Sequence, residues 1–273
     1  VGSEMCIRDS MHPDVATVSP GGIYDYTKIP AVQKEKLIWS DVPEQSGDET
    51  IIRKASNPFN ESGGLRLLKG NIGRSVIKIS SVPEDRHLIE APAMIFNGQE
   101  ELLKAFDEGK LERDFIAVVR FQGPKSNGMP ELHKLTPPLS IIQNKGFRVA
   151  IVTDGRMSGA SGKIPAAIHM SPEAAAGGAI AKIQEGDMIR LNAAVGTLNV
   201  MVDESVWRER SVDIMSEEQK LVNGHGIGRE LFSGMRKNVS SAEEGAITCL
   251  LYTSDAADDS LRVDLGGRRI IKK

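Results

Sequence analysis

The chain has 273 residues, of which 40% are apolar and 26% charged, with a net charge of −3. That balance supplies material for a buried core. It excludes the global basic field of a nucleic-acid binder, and no apolar run approaches the ~20 residues of a membrane helix.

The N-terminus lacks a charged region followed by an apolar stretch, so the expected location is cytoplasmic. Two cysteines, Cys6 and Cys249, are too few to ligate an iron–sulfur cluster or a tetrahedral zinc by themselves. Residues 1–10 (VGSEMCIRDS) and 249–273 (CLLYTSDAADDSLRVDLGGRRIIKK) have no clear periodicity and resemble translated sequencing-adapter read-through. The rival reading of the tail is an acidic patch followed by a basic arm for nucleic acid or lipid.

Residues 11–56 read as irregular linker, rich in Pro and Gly and then acidic. The stretch NPFNESGGLRLLKGN, from residue 57, reads as loop, with Gly63, Gly64 and Gly70 as flexible corners. Strands are expected at 75–81, where apolar and polar residues alternate, and at 93–96, 115–121 and 148–153. A helix is expected at 99–109, with Leu102, Leu103 and Phe106 on one side, and another at 137–145, stopped by Gly146. A further helix is expected at 171–183, with Ser171 as cap, Pro172 in the first helical position and Glu173 at the positive end. Residues 188–192 and 196–203 read as a hairpin, and 204–210, 216–222 and 227–237 as short helices. The pattern implies a β-rich α+β domain over 57–203, barrel-like (swivel-type) or a sandwich, with covering helices and a helical extension over 204–248.

Two segments carry candidate chemistry. In TDGRMSGASGK, residues 153–163, a strand runs into a loop rich in glycine and hydroxyl groups. Backbone N–H groups gathered there suit an anion, and Lys163 adds a positive charge. The alternative is a solvated turn. A nucleotide loop is excluded, because Ile164 follows Lys163 where Ser or Thr is required. In FQGPKSNGMPELHKLTPP, residues 121–138, Glu131 either solvates a turn or ligates a hard cation with partners from elsewhere. His133 is a possible ligand or a surface group. Asp154 beside Arg156 reads as a local ion pair.

These strings, with NPFNESGGLRLLKGNIGRSVIKIS and VAIVTDGRMSGASGKIPAAIHMSPE, resemble the C-terminal part of the dihydroxy-acid / 6-phosphogluconate dehydratase family over about residues 12–248. SGGLRLLKGN together with SGASGKIPAAIH is similar to the 6-phosphogluconate branch. The resemblance implies dehydration of a sugar-acid phosphate to a 2-keto-3-deoxy acid, with Ser158 as the alkoxide that takes the α-proton. Glu131 would help bind magnesium. An iron–sulfur cluster would polarise the leaving hydroxyl, with its ligands in a preceding N-terminal domain and none in this chain. Ser161, Lys163, Arg66 and Lys69 are candidates for the phosphate end; Arg74 and His169 read as surface or packing residues. The resemblance also implies a homodimer when intact and a fragment inactive alone. Two other readings stay open: a dihydroxy-acid or non-phosphorylated sugar-acid dehydratase, and a stand-alone anion-binding module.

Overall fold

In a computed structural model of the chain, the described residues are 15–41, 46–54, 56–59, 63–80, 82–158 and 163–248. Both terminal segments that look foreign, with Cys6 and Cys249, lie outside them. The chain divides into two compact units, Val1–Gly63 and Gly64–Lys273.

The first unit contains a hairpin where irregular linker was expected. Strand β1 (Ile29–Gln33) pairs antiparallel with β2 (Lys36–Ser40). The connecting residues, Lys34 and Glu35, both have positive φ, 49° and 63°. That two-residue turn is normally announced by Asn-Gly or Asp-Gly. Lys-Glu gives no such signal, which is why the hairpin was illegible.

Apolar runs build the second unit. Every residue of β6 (Phe115–Val119) and of β7 (Val149–Thr153) is buried. On β6, Ile116 and Val118 join one core cluster while Phe115, Ala117 and Val119 join a second. β7 divides in the same way, Ala150 and Val152 against Val149 and Ile151. The first cluster draws on all the strands of a closed barrel and fills its inside. The second lies outside, under α1 (Gln99–Asp107) and α2 (Thr136–Asn144), which contribute Leu102, Leu139 and Ile142. Strands covered on both faces read as unbroken hydrophobic runs rather than alternating ones.

Around the barrel the order is β10 (Thr197–Val200), β3 (Leu65–Gly70), β4 (Gly73–Lys78), β8 (Ala166–Ser171), β7, β6, β5 (Leu88–Phe96) and β9 (Met188–Asn192). Strands β5, β6, β7 and β8 run parallel, with Phe96 opposite Val119 and Val119 opposite Thr153. Their carboxyl ends therefore meet at one end of the barrel. β9 and β10 form the expected antiparallel hairpin. The expected barrel is present and closed, which replaces the sandwich alternative.

Three segments differ from the sequence reading. β3 occupies part of the stretch read as loop. Gly70 is not a flexible corner there: a Cβ on it would stand 1.7 Å from the Leu198 carbonyl oxygen, so it marks the close approach of β3 to β10. β5 begins at Leu88, five residues before the expected start. The helix expected at 171–183 is absent. Ser171 ends β8, its bond to Pro172 is cis, and two short 3-10 turns follow, Ala174–Ala176 and Ala179–Lys182. The chain folds back there so tightly that a Cβ on Gly178 would lie 1.8 Å from the Pro172 carbonyl oxygen. Beyond the barrel come α3 (Glu204–Glu209), α4 (Glu217–Gly224, capped by the Ser216 hydroxyl), a 3-10 turn Arg229–Phe232 and α5 (Ser233–Asn238).

Candidate functional site

The carboxyl ends of the four parallel strands deliver most of the polar groups that matter. Asn97 follows β5, Arg120 and Gln122 follow β6, Asp154, Arg156 and Ser158 follow β7, and Glu173 follows β8. Ligand sites in parallel sheets gather at such ends, because the loops there are free to vary while the strands hold them.

The turn after β6 positions Glu131. The Gly123 carbonyl accepts N–H groups from Asn127 and Gly128, both at 3.1 Å. Gly128 and Met129 then take positive φ, 74° and 53°, and reverse the chain. Glu131 arrives in a parallel bridge with Arg156, and the Leu132 N–H donates to the Arg156 carbonyl at 3.2 Å. The Arg156 side chain returns the contact twice: Nε donates to the Met129 carbonyl at 2.7 Å and Nη1 to Glu131 Oε2 at 2.9 Å. The other carboxylate oxygen, Oε1, accepts the Ser158 N–H at 2.7 Å. Glu131 and Ser158, 27 positions apart in sequence, thus stand in direct contact, with Ser158 exposed.

Behind this pair lies a buried acid that the sequence reading assigned differently. Asp154 was read as a partner of Arg156. Instead its side chain turns inward, fully buried, and takes the Gln122 N–H on Oδ1 and the Ala174 N–H on Oδ2, each at 2.9 Å. It thereby ties together the segments that follow β6, β7 and β8. Burial pushes its pKa up from 3.8 to about 6, opposed by those N–H donors and assisted by the nearby Glu173. Glu173 does not sit at a helix N-terminus. Its carboxylate accepts the Lys125 N–H at 2.9 Å and the Ser126 N–H at 3.3 Å, and burial likewise raises its pKa. Both acids therefore brace the turn that carries Glu131. One sequence signal pointed to Asp154: an aspartate that directly ends an all-apolar strand has to find N–H donors inside the protein.

His169 also belongs to this end. The pairing of β4 with β8 shifts register between Arg74 and Val76, and within that irregularity His169 has φ 57°. Its N–H donates to the Gly155 carbonyl at 2.9 Å. A bulge of this kind re-aims a side chain. Burial first, and then the Arg156 guanidinium, hold the His169 imidazole below its usual pKa.

The other predicted residues are not drawn to Glu131. Lys163 is exposed, and its carbonyl accepts from Gln143 at the end of α2, toward the amino ends of the parallel strands. Arg66 donates to the Ala194 carbonyl at the β9–β10 turn, and the Lys69 N–H donates to the Gly196 carbonyl at 3.0 Å. Both lie on β3, which β4 separates from β8. Arg74 pairs with Glu243 at 3.0 Å, and His133 is exposed. Ser161 lies outside the described residues.

Among the described residues no three His, Cys, Asp or Glu side chains converge as a metal site. Glu131 fits magnesium as a single contributor: each of its oxygens accepts one N–H and keeps a further lone pair, and magnesium commonly takes one or two carboxylates with the rest from water and substrate. An iron–sulfur cluster does not fit, because the described residues include no cysteine.

Residues 50–246 match the family model described as dihydroxy-acid/6-phosphogluconate dehydratase C-terminal. The chain is 52% identical over 236 residues to a phosphogluconate dehydratase of Pseudomonas aeruginosa, covering 86% of this chain and 38% of the relative. It is 47% identical over 242 residues to that of Escherichia coli K12, covering 89% and 40%. A dihydroxy-acid dehydratase of Methanococcus maripaludis is 35% identical over 261 residues, covering 86% and 46%. The chain thus spans less than half the length of these curated relatives. Among the described residues no helix is long and apolar enough to cross a membrane.

Proposed function

Because the chain belongs to the dihydroxy-acid/6-phosphogluconate dehydratase family, we propose that it is the C-terminal part of a cytoplasmic, homodimeric hydro-lyase that converts 6-phosphogluconate to its 2-keto-3-deoxy acid. The branch is favoured by identities of 52% and 47% to phosphogluconate dehydratases against 35% to a dihydroxy-acid dehydratase. The observation that carries the reading is the 2.7 Å bond from the Ser158 N–H to Glu131. It couples the group that would take the C2 proton to the group that would fix the substrate carboxylate.

Dehydration removes a weakly acidic C2 proton and expels the C3 hydroxide; the resulting enol tautomerises to the keto acid. In this reading Ser158, having first lost its own proton to become the alkoxide, receives that C2 proton and returns to the hydroxyl. Serine is a feeble base unless positive charge lies close by. Arg156 supplies one such charge, and Glu131 holds it in place. Magnesium at Glu131 would add a stronger charge, holding the substrate carboxylate and stabilising the enolate-like oxygens. Of the candidates for the phosphate end, Ser161 stands three residues from Ser158 in sequence, whereas Lys163, Arg66 and Lys69 lie away from Glu131 and carry no role in this reading. Iron–sulfur ligands would come from the part of the protein that precedes this chain.

The test joins the preceding three fifths, approximately, of the Pseudomonas aeruginosa relative to this chain and measures keto acid formed from 6-phosphogluconate and from gluconate. Turnover of the phosphorylated substrate, lost by about 10²-fold or more in Ser158→Ala and absent from the isolated chain, is expected. Preference for gluconate, or full activity without the Ser158 hydroxyl, would overturn the reading.

A further inference from the structure

The far end of the barrel holds a small polar cavity with an unsatisfied group in its wall. It lies where β5 and β7 begin, and the five residues of β7 separate it by about 13 Å from the end that carries Glu131. Its walls include Asp85 and Arg86 ahead of β5, Gln143 near the end of α2, and Phe147 and Arg148 ahead of β7. Gln143 is only 7% exposed. Its Nε2 donates to the Lys163 carbonyl at 3.3 Å, and because a carbonyl can only accept, that bond fixes which way the amide points. The other side of the amide, Oε1, is buried and meets no donor among the described residues. Buried acceptors in folded proteins almost always meet one. The cations of the wall are also poorly matched. Asp85 stands 4.0 Å from Arg86, and the Arg148 guanidinium makes no ion pair among the described residues, since Asp114 takes the Arg148 N–H instead.

We infer that this cavity is a second binding site, for a small oxyanion that carries a hydroxyl group: a hydroxycarboxylate or a phosphate. The charge follows from the walls, where two guanidiniums face one carboxylate and leave a net positive charge. The hydroxyl follows from Gln143, whose Oε1 needs a donor that a bare carboxylate does not have. Water can donate to Oε1 but leaves the guanidiniums without a counter-charge. The size follows from the volume, about 110 Å³, which is more than one water needs and too little for a sugar-acid phosphate. The site lies at the opposite end of the barrel from Glu131 and does not depend on the proposed reaction.

The test titrates the whole chain, nitrogen-labelled, with glycolate, inorganic phosphate and acetate at constant ionic strength, and follows the backbone amides by NMR. Glycolate or phosphate should shift the amides of Gly146, Phe147, Arg148 and Val149 with a Kd of about 1 mM, while those of Glu131 and Ser158 stay in place. The tighter of the two identifies the oxyanion. Acetate has the charge without the donor and should bind about tenfold more weakly than glycolate. Gln143→Met removes the acceptor at similar volume and should weaken glycolate about tenfold, level with acetate. Arg148→Gln, at an exposed position, should weaken every anion about tenfold without lowering the melting temperature, and it decides the matter if Gln143→Met does not fold. No shift at residues 143–149 at about 20 mM of either hydroxylated anion overturns the inference. So does acetate binding as tightly as glycolate, because Gln143 would then have no part in it. Shifts confined to Glu131 and Ser158 overturn it as well, because the anion would then belong to the candidate site.

Discussion

The buried Asp154 makes an unusual demand on stability. Two effects oppose each other at this carboxyl: burial favours the neutral form, and the Gln122 and Ala174 N–H groups at 2.9 Å favour the ion. If burial wins and the pKa is about 6, the folded protein binds this proton more tightly than the unfolded chain, where the value is near 3.8. Between about pH 4 and 6 the folded state then holds a proton that the unfolded chain has released, so stability falls as pH rises through that window and levels off above it. The full difference is about two pK units, or about 3 kcal/mol at 1.36 kcal/mol each. Asp154→Asn removes the titration and costs a further ~1–3 kcal/mol at every pH, because one N–H now faces an amide NH₂. Urea denaturation followed by the fluorescence of the buried Trp207, at pH 4, 5, 6 and 7, gives both stability curves. The advantage of wild type over the variant should be largest at pH 4 and shrink by up to about 3 kcal/mol by pH 7. Glu173 titrates in the same direction, so the pair is repeated in a Glu173→Gln background to remove their coupling. An advantage that stays constant, or widens as pH rises, would refute the reasoning: the N–H bonds would then outweigh burial.

Two other substitutions probe the same end of the barrel. Gly178→Ala places a Cβ against the Pro172 carbonyl oxygen and should destabilise by ~3 kcal/mol or more, read in the same urea titration; a change below 0.5 kcal/mol would mean that the fold-back after β8 yields easily. Arg156→Lys keeps the charge but cannot hold the Met129 carbonyl and the Glu131 carboxylate in one planar fork. In the joined protein it should lower kcat about tenfold while leaving the melting temperature within a degree or two, because the side chain is half-exposed; unchanged kcat would remove Arg156 as a positioning residue.

What was legible follows from which forces act locally. β6 and β7 are buried on both faces, so their apolar runs announce them without help from neighbours. α1 and α2 press one apolar side on the barrel, and that periodicity survives in the sequence. β3 and the segment after β8 were misread because glycine and alanine have local meanings that tertiary contact reversed. Gly70 reads as a corner but permits β10 to approach, and SPEAAAGGAIAKI, residues 171–183, looks helical until tertiary bonds hold it in another path. Asp154 takes the Ala174 N–H, and Glu173 is bound by the turn at Lys125 and Ser126. Glu173 is extended and Gly177 has positive φ, so the segment breaks into two short 3-10 turns instead of one helix.

The candidate site divides along the same line. Neither Glu131 nor Ser158 was distinguishable from a solvated turn by its own residues; only the resemblance singled them out. Their contact depends on two loops closing over one another, and the closure is fixed by groups that the sequence presents separately. Arg156 clamps the Glu131 turn from the front. From behind, Glu173 takes the N–H groups of Lys125 and Ser126, six and five residues before Glu131. Asp154 holds the start of that turn at Gln122. Two buried acids without a substrate of their own thus position one exposed acid. If that is their role, Glu173→Gln, whose amide can satisfy only one of the two N–H groups, should loosen the Glu131 turn before it loosens the barrel. Hydrogen exchange would then quicken at residues 125–131 while β6 and β7 keep their protection.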